Sequence, residues 1–229
     1  MVLSILTLAV SLVTLASAVP VDLLTRQTTC YSGVYIIGAR GSEEDAGFGS
    51  VASVVSGVLA AIPDSGSVAV DYPASVLDPI YSESVTDGIN AMTTLIENYV
   101  GNCSGNIVLT GFSQGAEVVT DTLAGGVDKP DPISAKTAAR ISAVAVFGDP
   151  TFTHGQSFDA GTDTSTNGIF ARGTASASLA LLNTYASKIK SYCDTGDVYC
   201  ASGDNSTAHS QEVPTWRTDA VAFITSLST

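Results

Sequence analysis

A serine between glycines is the residue best suited to chemistry in this chain of 229 residues, where positions 111–115 read Gly-Phe-Ser-Gln-Gly. The apolar run at 106–110 precedes this pentapeptide, and a helix-like stretch at 116–123 follows it. The pattern G-x-S-x-G between a strand and a helix predicts a sharp turn that exposes the serine hydroxyl as a nucleophile. Glycine suits both flanking positions because the turn leaves little room for side chains. The pentapeptide alone also arises by chance, so the flanking strand and helix are the evidence that supports Ser113.

A base must accompany the serine, because a hydroxyl is a poor nucleophile at neutral pH until an imidazole accepts its proton. The chain contains two histidines, His154 and His209. Where a serine lies in such a turn, the acid follows it along the chain and the base comes last. We therefore predict that His209, which follows several acidic residues and the last apolar run, is the base. His154 is interpreted as an ordinary polar residue of the loop after Pro150.

Three aspartates shortly before the predicted base are candidates for the acid: Asp194, Asp197 and Asp204. Asp197 follows a glycine in the middle of the short segment between Cys193 and Cys200, where its carboxylate can be aimed at the histidine. A carboxylate there would fix the tautomer of the ring and stabilise the imidazolium that forms. In the alternative, Asp194 or Asp204 has this role and Asp197 caps a turn.

An ester-cleaving serine also needs hydrogen-bond donors for the negatively charged oxygen of the tetrahedral intermediate. The turn itself places the backbone N–H of Gln114, the residue after the nucleophile, for this role. Ser42 follows the first predicted strand and offers a second N–H and a hydroxyl from the neighbouring strand end. An equally supported interpretation is that Ser42 only caps the turn in which it lies and takes no part in chemistry.

Strands and helices alternate along the chain. Apolar runs predict strands at 34–39, 67–72, 106–110, 143–147 and 188–192, and helical spacing of apolar residues predicts helices at 51–62, 82–100, 116–123, 134–140 and 215–227. This alternation predicts a three-layer α/β fold, with a central, mainly parallel, five-stranded sheet and helices on both faces. Loops at the carboxyl ends of the strands would then carry the functional residues.

The N-terminus predicts secretion. Residues 2–18 are uncharged and apolar and end in Ala-Ser-Ala, which is typical of a signal peptide over 1–18. We interpret 19–29 as a short pro-segment or flexible arm and 30–229 as a single domain. The formal net charge of −13 argues against nucleic acid and anionic membranes as partners, because both repel such a surface.

Four cysteines in a secreted chain favour disulfides over a zinc site, for which C-x-x-C spacing is missing. Three connectivities are possible. The most economical joins Cys30 to Cys103 and Cys193 to Cys200. The second bond would close a tight loop around Asp197 and hold that residue in place.

The motifs together resemble the cutinase and acetylxylan esterase family, secreted fungal serine esterases with a lidless α/β-hydrolase-type fold. The resemblance covers nearly all of the chain from Cys30 onward and rests on five ordered motifs, at 38–42, 72–74, 111–115, 148–150 and 191–200, followed by His209. It implies a catalytic triad of Ser113, Asp197 and His209, an oxyanion hole at Ser42 and Gln114, and both disulfides as paired above. It also implies a monomer that needs no metal or cofactor.

The motifs of this chain do not all point to the same substrate within the family. Residues 40–42 and the sparse cysteines resemble cutinases, whereas 72–74, 148–150 and 197–200 resemble acetylxylan esterases. The polar segment 201–208 favours a sugar surface over a waxy polyester. We therefore expect hydrolysis of short acyl esters of plant cell-wall polymers such as acetylxylan. The alternatives are cutin depolymerisation and, from another class, a catalytically idle wall-binding protein.

Three further residues carry predictions. Tyr199 has its match in the acetylxylan esterases, and its ring would either block a long acyl chain or pack on the disulfide and face away. Asn102 and Asn205 begin N-x-[ST] sequons and are candidates for glycosylation.

Overall fold

The computed structural model describes residues 28–163 and 165–228. The predicted signal peptide at 1–18, and the part of the predicted arm at 19–27, lie outside the described residues. Within the described ranges, no helix combines the length and the apolar character needed to cross a bilayer.

A six-stranded sheet in the order β2-β1-β3-β4-β6-β5 forms the centre of the molecule, and every neighbouring pair of strands is parallel. The strands are β1 (Val34–Ala39), β2 (Gly66–Ala69), β3 (Asn106–Phe112), β4 (Ile141–Phe147), β5 (Asp159–Ala160) and β6 (Ile189–Tyr192). Five of them are the five predicted strands. The sixth, β5, has two residues at the sheet edge, which is too short for any periodic pattern.

Helices cover both faces of this sheet, as the alternation of elements predicts. They are α1 (Ala52–Ala61), α2 (Tyr81–Asn102), α3 (Gln114–Ala124), α4 (Ala135–Ala138), α5 (Ala177–Asn183) and α6 (Ser206–Ser228). Helices α1 and α6 pack together, and α3 packs against α2 and α5. Alternate residues of β3 face opposite sides, so that Leu109 lies in the core under α2 and α3 while Val108 lies in the core under α1 and α6.

Helix α6 begins nine residues before the predicted start at Thr215. Pro214 suggests a helix beginning, because proline lacks the N–H of a helix interior, yet here it lies inside the helix. The first turn is capped instead by Asn205, whose Oδ1 accepts hydrogen bonds of 3.1 Å from the N–H groups of Thr207 and Ala208. As a result, His209 lies on a helix.

Two smaller differences concern β2 and α5. Strand β2 ends at Ala69, short of the predicted Tyr72. The seven-residue helix α5 lies in a stretch for which the sequence indicates no element, and the hydroxyl of Ser176 caps it by accepting from the N–H of Leu179.

Candidate active site

Ser113 lies in the sharp turn between β3 and α3, with the unusual backbone angles φ +54° and ψ −120°. Its N–H donates to the carbonyl oxygen of Phe147 at 2.8 Å, which joins the turn to the end of β4. A Cβ at Gly111 would lie 2.2 Å from the carbonyl oxygen of Gly115, and one at Gly115 would lie 2.3 Å from that of Ala39. Both glycines of the motif are therefore required by close backbone approach, and the backbone strain is concentrated at the serine.

His209 and Asp197 form a buried pair near the carboxyl end of the sheet. Nδ1 of His209 lies 2.8 Å from Oδ2 of Asp197. The other oxygen of Asp197 accepts hydrogen bonds from the N–H groups of Tyr199, at 2.7 Å, and Cys200, at 3.0 Å. Burial raises the pKa of Asp197, but the interactions with His209 and the two N–H groups outweigh it and hold that pKa below its usual value. Asp197 is therefore ionised and fixed in one orientation.

The imidazole of His209 lies beside the residue that precedes the serine. Its ring centroid is 4.7 Å from that of Phe112, and on another side the ring of Tyr199 packs edge-on at 4.6 Å. A Cβ at Gly148 would lie 2.7 Å from Cε1 of His209, so the Gly-Asp-Pro motif begins with the residue that makes room for the imidazole. The structure thus brings Ser113, His209 and Asp197 to the same end of the sheet.

The alternative residues have other partners. The carboxylate of Asp194 accepts hydrogen bonds from the backbone and hydroxyl of Thr162 and from Nε1 of Trp216. Asp204 is exposed, and so is His154, whose Nδ1 lies 2.8 Å from Oδ1 of Asn167. The hydrogen bond and the ring contacts of the His209 side chain are made with Asp197, Phe112 and Tyr199, and not with any of these alternative residues.

Gln114 is the first residue of α3, so its backbone N–H has no acceptor within the helix. Its fully buried side chain accepts a hydrogen bond from the hydroxyl of Ser84 and donates one of 2.9 Å to the carbonyl oxygen of Ser75. The side chain therefore anchors the loop before α2, while the backbone N–H directly follows Ser113 at the start of α3.

Ser42 lies in the turn after β1, and Glu44 holds that turn by accepting from the N–H of Gly41 at 2.6 Å and from the N–H of Ser50 at 2.9 Å. A Cβ at Gly41 would lie 2.8 Å from the ring of Phe112, so the turn packs against the residue that precedes the serine. The sequence gives no indication of this role for Glu44, because an acidic residue in a polar loop is usually solvated.

Comparisons with known proteins show the family to which the chain belongs. The cutinase family model matches residues 30–227. The chain belongs to the cutinase family. It is 36% identical to acetylxylan esterase 2 of Talaromyces purpureogenus over 225 residues, which is 92% of this chain and 93% of that one. It is 35% identical to an acetylxylan esterase of Hypocrea jecorina over 234 residues, or 96% and 76% of the two chains.

A solved relative has the same fold: the catalytic core domain of the acetyl xylan esterase from Trichoderma reesei superposes with a TM-score of 0.79 at 33% identity, covering 87% of this chain and all of that one. Together with the family match, this confirms the predicted fold class and the predicted resemblance. The chain is a carboxylic ester hydrolase of the cutinase family. The interpretation as a catalytically idle protein is not supported.

Both disulfides of this cutinase-family esterase are present, one between Cys30 and Cys103 and one between Cys193 and Cys200. The second is fully buried, and it closes the loop that carries Asp197. The first joins the segment before β1 to the end of α2. The two bonds therefore act on different parts of the family fold.

Large apolar side chains lie exposed on two loops near the site, a feature that the polar segment 201–208 does not predict. On the loop anchored by Gln114, Leu77 is 84% exposed and Ile80 is 54% exposed. On the other loop, Phe170 is 52% exposed, and the neighbouring Ile169 donates its N–H to the carbonyl oxygen of Tyr199. The surface near the site thus includes exposed apolar side chains on these two loops as well as the polar segment 201–208, and the preference for a sugar surface stays a prediction.

A cavity of about 580 Å³ adjoins α3, one turn beyond the nucleophile. The rings of Tyr81 and Phe170 line it together with hydroxyl groups and the buried carboxyl group of Glu117. Burial, reinforced by the nearby carboxylate of Asp121, raises the pKa of Glu117 to about 7, and the hydroxyl of Tyr81 donates to Glu117 at 2.7 Å. The cavity therefore combines aromatic faces with hydrogen-bonding groups, and Ser113, Asp197 and His209 are not among its lining residues.

Proposed function

We propose that this cutinase-family esterase removes short acyl groups, above all acetyl groups, from plant cell-wall xylan through an acyl-enzyme. The observation that carries the acyl preference is the contact between Tyr199 and His209, whose ring centroids are 4.6 Å apart in an edge-on arrangement. A ring that touches the base and is 43% exposed narrows the space beside the reacting carbon. The lining of the cavity next to α3 and the similarity to acetylxylan esterases support a sugar polymer as the substrate.

In the proposed mechanism, the hydroxyl oxygen of Ser113 attacks the ester carbonyl carbon while His209 accepts the hydroxyl proton. Asp197 orients the ring and stabilises the imidazolium, and the N–H groups of Gln114 and Ser42 stabilise the oxyanion. The tetrahedral intermediate collapses as His209 donates its proton to the leaving alcohol. Water, deprotonated by the same imidazole, then attacks the acyl-enzyme and releases the acid.

Replacement of the nucleophile tests this mechanism. Ser113→Ala should fold like the wild type and lose on the order of 10⁴-fold or more in kcat, because the remaining groups still bind substrate but cannot form the acyl-enzyme. A serine-directed phosphonate should label Ser113 alone in mass spectrometry. The exposed Ser157→Ala is the matched control and should keep full activity and labelling. Retained activity in Ser113→Ala, or a label elsewhere, would contradict the mechanism.

A second candidate substrate is cutin, and the exposed apolar side chains of Leu77 and Phe170 favour it, because large apolar groups at a mouth suit contact with a waxy polymer. Leu77→Ser combined with Phe170→Ser separates the two candidates. An enzyme that acts on xylan should keep its rate of acetate release from acetylated xylan. An enzyme that acts on cutin should lose most of its rate on the insoluble polyester and keep its rate on a soluble acetate ester.

We also propose that the protein is secreted, after removal of 1–18, and that it carries glycans. Asn205 is exposed and uses Oδ1 to cap α6, while Asn102 is exposed at the end of α2. Intact mass of the secreted protein before and after glycosidase treatment tests both sites, with Asn102→Gln and Asn205→Gln assigning each glycan. A mass that glycosidase treatment does not change would show that neither sequon carries a glycan.

A further inference from the structure

Glu212 is a fully buried carboxyl group on α6 that the mechanism above does not use. It follows His209 by three residues, so both side chains lie on the same face of the helix. Its Oε1 accepts a hydrogen bond of 2.6 Å from the backbone N–H of Asp194. Glu212 therefore ties the helix that carries the base to the loop that carries Asp197.

No cation pairs with Glu212 among the described residues, where the recorded ion pairs join other groups. The ionisable groups whose charges act on it are the carboxylates of Asp194 and Asp197 on the loop. On its own helix, His209 lies one turn before it. The sulfurs of Cys193 and Cys200 lie within 4.8 Å of a carboxyl oxygen, but they form a disulfide and do not titrate. The surrounding side chains thus add negative charge, which the hydrogen bond from the N–H of Asp194 offsets only in part.

The second carboxyl oxygen, Oε2, is buried, and no group in the described part of the chain forms a hydrogen bond with it. An ionised carboxylate with an unpaired oxygen in a dry site costs several kcal/mol, whereas the neutral acid avoids most of this penalty. Burial raises the pKa of Glu212, the N–H of Asp194 opposes the effect, and repulsion from Asp194 and Asp197 adds to it, which brings that pKa to about 9. At neutral pH the group therefore keeps its proton.

We propose that Glu212 is a positioning residue for the reaction and works only as the neutral acid, an inference that rests on the proposed roles of Asp197 and His209. The neutral group holds the N–H of Asp194 and leaves Asp197 as the ionised carboxylate that faces His209. An ionised Glu212 would add a second buried negative charge and weaken the link between α6 and the loop.

Two variants separate hydrogen bonding from charge. Glu212→Gln keeps an oxygen that accepts from Asp194 and cannot ionise, so its kcat at pH 7 should stay within about 3-fold of the wild type and persist to higher pH. Glu212→Leu keeps the volume and loses the acceptor, so its kcat should fall by about 10- to 100-fold with little change in KM, since small displacements of catalytic groups have effects of this size. Asp219→Asn is the control, because this carboxylate lies on the same helix but is half-exposed and paired with Lys190.

Thermal unfolding tests the protonation without any substrate. The pKa of Glu212 lies at about 9 in the folded chain and near the ordinary value of 4.5 in the unfolded chain. The folded state therefore binds more protons in this window, and the wild type loses stability as pH rises through it. Glu212→Gln cannot show this loss, so its Tm should rise relative to the wild type by about 5 °C or more between pH 5 and pH 8.

Two results would overturn the positioning role. One is a loss of kcat in Glu212→Gln as large as in Glu212→Leu, and the other is an identical dependence of Tm on pH in the wild type and Glu212→Gln. A wild type without esterase activity, whose Tm still diverges from that of Glu212→Gln as pH rises, would overturn the proposed function and, with it, the positioning role.

Discussion

The two histidines of this esterase differ in almost every property of their surroundings. His209 is 8% exposed, is hydrogen-bonded to a buried carboxylate, and lies against two aromatic rings. His154 is exposed, and its Nδ1 lies near the side-chain amide oxygen of Asn167. An amide oxygen can fix the tautomer of a ring, but a carboxylate also stabilises the positive charge that the ring acquires when it accepts a proton.

This difference teaches that the partner and its burial, more than the residue type, prepare a histidine for general-base catalysis. Asp197 can act as such a partner because both of its oxygens are held, one by His209 and one by backbone N–H groups of the disulfide loop. The side chain of Asn167 is exposed, and its Oδ1 also accepts a hydrogen bond from the backbone N–H of His154 in a surface turn.

The largest expected effect comes from removing each ring in turn. His209→Ala should lower kcat by about 10⁶-fold, because no other group can accept the proton of Ser113. His154→Ala should change kcat/KM by less than about 3-fold and serves as the matched control. Kinetics on p-nitrophenyl acetate for both variants measure the contrast. Comparable losses in the two variants would contradict the assignment of the base.

The next effect comes from giving His209 an amide partner like that of His154. Asp197→Asn keeps the shape of the side chain but removes the negative charge and favours the wrong tautomer, so kcat should fall by about 10⁴-fold. Asp194→Asn is the control, since its carboxylate bonds to Thr162 and Trp216 rather than to the base. Circular dichroism should show both variants folded. A severe loss in Asp194→Asn with a near-normal Asp197→Asn would reverse the assignment of the acid.

A smaller effect is expected from the disulfide that closes the loop of Asp197. Cys193→Ser with Cys200→Ser should lower kcat by about 10-fold or more, because the acid is no longer held against His209. The bond between Cys30 and Cys103 spans 73 positions against 7 for the other, so it stabilises more through chain entropy, about 4 kcal/mol against about 2.5 kcal/mol.

Urea unfolding and kinetics on both double variants separate the two roles. Loss of the long-range bond, in Cys30→Ser with Cys103→Ser, should reduce the free energy of unfolding more and kcat less. Equal effects of the two double variants on kcat would show that the tight loop holds Asp197 without its disulfide.

The sharp turn at Ser113 and the sheet could be predicted because their determinants are local. The bounds of β1 follow from one apolar run, and Gly111 and Gly115 mark a turn that excludes other residues for steric reasons visible in the pattern. The predicted beginning of α6 is wrong because it relies on Pro214 as the helix start. The local signal is Asn205, a favoured capping residue whose Oδ1 accepts from the N–H groups of Thr207 and Ala208.

Long-range contacts account for the remaining differences. Asp194 and Asp197 are three positions apart on one loop, and only the folded loop shows that the latter faces His209. Glu212 in a helical pattern is usually solvated, so nothing in the sequence indicates that it is buried against the disulfide. The rings of Tyr81 and Phe170, whose centroids are 5.6 Å apart, come together from segments that are distant in sequence.

The smallest expected effect concerns Tyr199, whose ring packs against His209 and has no counterpart at His154. Removal of this ring in Tyr199→Ala should open space beside the reacting carbon. It should leave the hydrogen bonds of Asp197 in place, since residue 199 contributes only its backbone N–H to them.

The wild type should prefer acetyl and butyryl esters. The variant should raise kcat/KM for octanoyl relative to acetyl esters by about 10-fold, the effect of relieving a clash of a few methylene groups. Tyr185→Ala, at the residue before the 3₁₀ turn Ala186–Lys188 that leads into β6, controls for general loosening and should leave the ratio unchanged. Two results would contradict the steric basis for an acetyl preference: an unchanged chain-length profile in Tyr199→Ala, or a wild type that already prefers octanoyl esters. Either result would favour cutin as the substrate, in line with the exposed apolar loops.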